Sequence, residues 1–456
     1  METLNDRDEK RHFYKLVFSL VLPMALQNLI NVGVSAADVI MLGKVSETAL
    51  SASSLAGQVY FILSLIFFGL TSGAAVLTAQ YWGRKDTRTI EKILAITLRY
   101  SLVISIVFTV VVQLFPIPIM KLFASKEDTD VILQGAAFLR IISFTYVLSA
   151  ITMIYLNIMR SVERVIIATV VYSISLVVNI LLNFVLIFGL IGFPAMGIRG
   201  SALATLIARF IELILVLLYA TLINKTIKFH VKDLFLHDKL LMKDFLTYSF
   251  PVMINELIWG TGTSVNAAII GHLGKSAVAA NSVTQITRQL AMVVAFGLAT
   301  ATAIILGKVL GEGKEELAKK YAKRFVNLTI IVSIFGALVI LGTSQIAKDA
   351  LSLSGEAKSY LGIMMIVMSY FSIGQAYNTT LIVGVFRAGG DIKFGLFIDV
   401  TFMWCISILF GLIAAFVLKL PVPVVYVILM SDEIIKIPIS TWRYRSMKWV
   451  KNITRY

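Results

Sequence analysis

The chain has 456 residues, of which 58% are hydrophobic and 15% charged, with a mean hydropathy of +0.87 and a formal net charge of +15. Ordinary soluble domains are about 45–50% apolar and about 25% charged, so this balance excludes one and points to apolar helices that cross a membrane. A single cysteine, Cys405, excludes an intramolecular disulfide and a cysteine-clustered metal site.

The N-terminal stretch METLNDRDEKRHFYK is polar and mixed in charge, and the apolar run behind it is full length, so no cleaved signal peptide is expected. Twelve spans are expected, at 15–42, 49–81, 93–119, 131–158, 165–191, 197–223, 245–271, 278–309, 321–346, 359–386, 392–418 and 421–445. With both termini in the cytoplasm, most of the 41 Lys and Arg fall on cytoplasmic segments. That is the positive-inside pattern, and it fixes orientation. The basic excess then meets anionic lipid headgroups, and no nucleic-acid partner is expected. After the second and eighth spans, YWGRKD and VLGEGK each place a glycine before charges, a pattern for a left-handed helix cap. The stretch NKTIKFHVKDLFLHDKLLMK reads as a solvated or membrane-surface linker.

An internal repeat organises the whole. At a constant offset of 228, Lys15 aligns with Lys243, Pro23 with Pro251, Gly43 with Gly271, Gly69 with Gly297 and Gly83 with Gly311. At 227, Arg160 aligns with Arg387. The expected fold is therefore all-α: an N-terminal lobe at 1–223, a cytoplasmic linker at 224–244 and a C-terminal lobe at 245–456. Six spans return the chain to its starting side, so the two lobes are parallel repeats, an arrangement found in secondary transporters.

Ionisable groups inside spans either pair or mark a pathway. Arg209 and Glu212, like Glu433 and Lys436, lie three apart and read as structural pairs. Arg99, Arg140 and Arg288 either snorkel or act as partners. Asp38, Glu256 and Asp399 have no basic neighbour at helical spacing. Asp38 aligns with Asn266 and Glu256 with Asn28, so each lobe keeps one acid, at a different depth; ten helical residues are about 15 Å. Glu256 lies near mid-span and ranks first on depth. Asn179 and Asn183 share a face of the fifth span with Thr205 in the sixth, completing an ion-coupling set with Asp38, Glu256 and Asp399. Oxygen ligands around Asp38 or Glu256 suit sodium, and the same carboxylates could carry a proton; both remain open. Gln27, Asn255, Trp259, Gln285, Gln375 and Asn378 are the expected substrate-binding residues, Trp259 through its ring face. His12, His230, His237 and His272 are expected in loops or the tail, which argues against a histidine relay or metal site.

These residues resemble the multidrug and toxic compound extrusion (MATE) transporters. The resemblance rests on P-x14-D-x4-G in the first span, P-x3-NE-x2-WG in the seventh, and the stretches from Leu156 to Arg164 and FRAGGD at 386–391. It implies a V-shaped pair of lobes that export organic cations and drugs against inward sodium or proton flow. Asp38 then matches the family's N-lobe acid, Asn179 and Thr205 its ligand partners, and Glu256 its C-lobe glutamate. Asn183 stands where the family often has an aspartate, leaving one carboxylate. In the tenth span SIGQAYNTT lacks the aspartate of some members, so Asp399 or neutral ligands would serve.

The reading is a secondary multidrug antiporter, with no cofactor beyond the coupling ion and no enzymatic activity. It is expected as a monomer in the cell membrane among lipids, acting on cationic or amphipathic drugs. The alternative is a lipid-linked oligosaccharide flippase of the related superfamily. No GxSxG or HExxH motif supports a membrane enzyme.

Overall fold

The computed structural model describes residues 6–124, 128–235, 238–350 and 354–455; His237 lies outside them. Every regular element among the described residues is helical. In chain order they are α1 (Asp6–Val45), α2 (Glu47–Gly83), α3 (Thr87–Leu114), α4 (Pro116–Phe123), α5 (Thr129–Ile142), α6 (Phe144–Ser161), α7 (Ile166–Phe188) and α8 (Ile198–Leu218). After the linker come α9 (Lys239–His272), α10 (Lys275–Gly311), α11 (Glu315–Ala350), α12 (Gly355–Thr379), α13 (Ile392–Val400), α14 (Leu409–Leu412), α15 (Val422–Leu429) and α16 (Asp432–Arg445). A π-helical run, Thr380–Phe386, continues α12, and two more, Thr401–Ile408 and Ile413–Val417, flank α14. π-Turns mark places where a helix admits an extra residue, often at functional sites.

Among the described residues, nine helices are long and apolar enough to cross a membrane. A tenth span forms if α5 and α6, bent by 47° at Ser143, are counted as one. The remaining two expected spans correspond to α9, a 34-residue helix, and to α15 with α16, which are separated at Met430 and Ser431.

The chain folds as two compact units. The C-terminal unit comprises 254–456 together with 1–25 and 79–85, and the N-terminal unit comprises 26–78 and 86–253. Of the four chain boundaries between them, one falls inside α1, two residues after Pro23, and one inside α9, two residues after Pro251; the others fall inside α2 after Thr78 and just before α3 after Lys85. A proline inside a helix removes one backbone hydrogen bond, so the boundaries in α1 and α9 sit beside a local weak point of the helix.

The repeated glycines at the ends of α2 and α10 serve a different purpose from the expected caps. The left-handed residues are Lys85 and Gly313, two positions further on in each copy. A Cβ at Gly83 would collide with the Lys308 carbonyl, and one at Gly311 with that of Gln80. The two helix ends cross at backbone distance, which only glycine allows.

A C-terminal strap closes over the same place. Gln80 is fully buried and donates to the carbonyls of Ala388 (2.7 Å) and Lys451 (3.1 Å), while its oxygen accepts from the Ile453 amide (2.8 Å). Arg84 donates to the Arg455 carbonyl at 2.8 Å, and Trp449 is fully buried.

The linker leaves many of its described residues exposed, yet a few side chains clasp it to α3. Arg88 grips both oxygens of Asp233 (2.6 and 2.7 Å), Glu91 accepts from the Lys228 amide (2.8 Å), and Lys92 reaches Asp238 (3.3 Å). His230 stands 3.7 Å from Asp233. Glu91, His230 and Asp233 have the spacing of a metal cluster, but Arg88 already fills its centre of charge. His12 and His272 prove to be helical, in α1 and at the end of α9, rather than in loops.

Candidate functional site

In the N-terminal unit the polar residues of three helices meet. α1 supplies Asp38, α7 supplies Asn179 and Asn183 one turn apart, and α8 supplies Thr205. The spacing of four in α7 stacks the two carboxamides on one face. Asn183 donates to Asp38 Oδ1 and also to Asn179 Oδ1 at 3.1 Å, and Asn179 donates to Thr205 Oγ1 at 3.2 Å. Among the described residues Asp38 forms no ion pair, and its hydrogen-bond partner is a neutral amide. Asn183 is wholly buried, and its Oδ1 has no hydrogen-bond partner. A cluster built on a carboxylate, with a buried oxygen still free to accept, has room for one more positive charge.

A cavity of about 260 Å³ adjoins this cluster and is lined by Asn179, Thr205, Tyr60, Tyr172, Arg209 and Glu212 among others. Arg209 chelates both oxygens of Glu212 at 2.9 Å. That pair is formed as expected and also lines the cavity. Gln27 stands apart: it donates to the Val165 carbonyl (3.1 Å) and Thr169 (2.8 Å), pinning α1 to the start of α7.

The C-terminal unit is built differently. Glu256 on α9 is ion-paired to Arg387 at 2.9 Å, with both side chains nearly buried. Asp399 on α13 pairs with Lys436 at 3.2 Å and accepts from Asn255 at 3.1 Å. Lys436 also reaches Glu433 (3.0 Å) and Asp432 (3.2 Å), and Asn378 donates to Glu433 at 2.8 Å. The lone carboxylates expected at Glu256 and Asp399 are therefore paired, through residues far away in the chain. Trp259 is partly buried one turn along α9 from Glu256, and among the described residues no hydrogen bond joins it to the network. Gln285 and Gln375 turn their oxygens to Arg288, both at 2.9 Å.

Arg387 is the residue sequence reasoning missed. Its register with Arg160 was visible, but as a loop landmark, and its acid lies 131 residues away. Arg160 itself donates to Asn157 at 3.2 Å and lies over the Tyr172 ring.

Comparison with known proteins gives a coherent set. The MatE family model matches residues 23–185 and again 251–413, the two halves of the repeat. The chain is 23% identical over 444 residues to an uncharacterized transporter, YisQ, of Bacillus subtilis, covering 95% of each. It is 23% identical to the probable multidrug resistance protein YoeA of the same organism, covering 93% of this chain and 92% of that one. A MOP superfamily transporter from Pyrococcus furiosus, described as having a binding pocket of reverse polarity, superposes with a TM-score of 0.83 at 18% identity over 97% of both chains. The eukaryotic MATE transporter AtDTX14 superposes with a TM-score of 0.85 at 17% identity, again over 97% of both.

Proposed function

This chain belongs to the MatE family, which comprises membrane transporters and not enzymes, and from that premise we propose that it is a multidrug exporter whose coupling cation binds at Asp38. The observation that carries the reading is the chain Asp38–Asn183–Asn179–Thr205, in which neutral groups alone hold a carboxylate within an apolar helix. Sodium, a hard cation, would take oxygens from Asp38, the free Asn183 Oδ1 and Thr205; a proton would take Asp38 alone. Either neutralises the acid that organises three helices. Coupling follows only if the ion binds the two transport conformations with different affinity.

The relatives described as probable multidrug resistance proteins support drug export, with cationic or amphipathic substrates. At about 260 Å³ the cavity lies just below the range of about 300–1,000 Å³ typical of drug-sized ligands, so it suits the ion and one ring system rather than a whole drug. We place the protein in the cell membrane as a monomer with both termini cytoplasmic.

The test is uptake of ethidium into proteoliposomes under a sodium gradient alone, then under a pH gradient alone. Export driven by one of the two is expected. Equal fluxes with and without either gradient would contradict ion coupling.

A further inference from the structure

The repeat sets Arg288 of α10 where the N-terminal half has Tyr60, a cavity-lining residue. Arg288 lies deep in a helix apolar enough to span a membrane, where a guanidinium without a counter-charge is costly. Its hydrogen-bond partners are neutral: Nε donates to Gln285 Oε1 and Nη1 to Gln375 Oε1, both at 2.9 Å. Among the described residues it forms no ion pair. Glu433, the acid within electrostatic range, is held instead by Lys436 at 3.0 Å and Asn378 at 2.8 Å.

Donors outnumber acceptors here. A guanidinium has five N–H groups, and the two glutamine oxygens use two. Because those oxygens face Arg288, the amide nitrogens face away. Gln285 Nε2 finds Asn281 at 3.4 Å, while Gln375 Nε2 has no acceptor among the described residues. Arg288 Nη2 and Gln375 Nε2 are thus donors without acceptors among the described residues, and the guanidinium forms no ion pair there. Gln285 and Gln375, expected among the substrate-binding residues, have their oxygens committed to Arg288.

We propose that Arg288, with Gln375, forms a site in the C-terminal unit for an oxyanion, the carboxylate of an amphipathic solute being the ligand it fits. A planar carboxylate accepts two parallel N–H bonds from a guanidinium, the geometry in which arginine surpasses lysine. The inference rests on the exporter reading for its physiological sense: the substrates would then include zwitterions as well as cations.

The test uses the full-length protein in phosphatidylcholine nanodiscs and two dyes that differ by one methyl ester. Rhodamine 110 carries a free carboxylate; rhodamine 123 is its ester. Binding is read by fluorescence polarisation, and the readout is the ratio of the two affinities, which a general folding defect would leave in place. The wild-type protein should prefer rhodamine 110, and Arg288→Gln should reduce that preference about tenfold, the scale of one charge-assisted hydrogen-bonded pair. Arg288→Lys, which keeps the charge and loses the fork, should fall between. A second arm adds phosphatidylglycerol. Competition with rhodamine 110 in the wild type but not in Arg288→Gln assigns the oxyanion to a lipid phosphate, and its absence assigns it to the solute. No preference in the wild type, or the same ratio in Arg288→Gln, overturns the proposal. Failure of gradient-driven rhodamine 123 export would sink the exporter reading instead, and would leave the affinity ratio untouched.

Discussion

The two halves share a backbone plan and handle charge in opposite ways. In the N-terminal unit Asp38 rests on the carboxamide of Asn183 and forms no ion pair among the described residues. In the C-terminal unit Glu256 is bound to Arg387, and Asp399, Asp432 and Glu433 converge on Lys436. The repeat makes the contrast sharp. Asn28 and Arg160 occupy the places of Glu256 and Arg387, while Asn266 takes the place of Asp38, its Oδ1 buried and unpartnered. One half keeps an acid with no ion pair among the described residues, and the other neutralises its acids with its own side chains. On the proposed reading, the first copy is the receptor for the ion and the second a brace.

Removing half of a brace should have the largest effect. Arg387→Gln leaves Glu256 buried without its counter-charge and should cost about 3–5 kcal/mol, read as a lowered unfolding midpoint in detergent. The double variant Glu256→Gln/Arg387→Gln should recover most of that loss; a further loss would break the comparison. The glycine crossing tests where the halves are alike. Gly83→Ala and Gly311→Ala each force a Cβ into a backbone carbonyl and should each cost about 1–3 kcal/mol, by similar amounts. Asp38→Asn should change stability by less than about 1 kcal/mol, because an amide replaces a carboxylate whose hydrogen-bond partner is another amide.

The smallest effect concerns the linker. The Arg88 guanidinium holds the Asp233 carboxyl below its ordinary 3.8. A depressed folded-state value stabilises the docked linker fully above about pH 3.8, and the contribution is lost as pH falls through that lowered value. Arg88 is half exposed, so solvent screening keeps the contribution small. Protease nicking across 224–238 should rise only at acidic pH in the wild type. Asp233→Asn should be nicked more readily at neutral pH, and equal rates there would remove the clasp from the account.

Apolar runs and the offset of 228 are local or periodic signals, so the helical architecture and its duplication were legible in the chain. The Asn179, Asn183 and Thr205 cluster was legible too, because two of its members sit one turn apart. Glu256–Arg387 was not: spacing along one helix says nothing about a partner 131 residues away. The same limit hid Asp399–Lys436, where Lys436 had been assigned to Glu433 alone and in fact joins three acids. Gly83 and Gly311 misled for another reason. A glycine before a charged loop has the pattern of a cap, and only the opposing carbonyls reveal the close crossing.

The claim that the N-terminal unit carries the coupling ion has one direct measurement: ethidium flux in proteoliposomes under whichever gradient drives the wild type, comparing Asp38→Asn with Glu256→Gln/Arg387→Gln. The account predicts that Asp38→Asn falls to the flux seen without a gradient, while the double variant keeps gradient-driven transport. Retained coupling in Asp38→Asn, with loss in the double variant, would place the ion in the other half and contradict it.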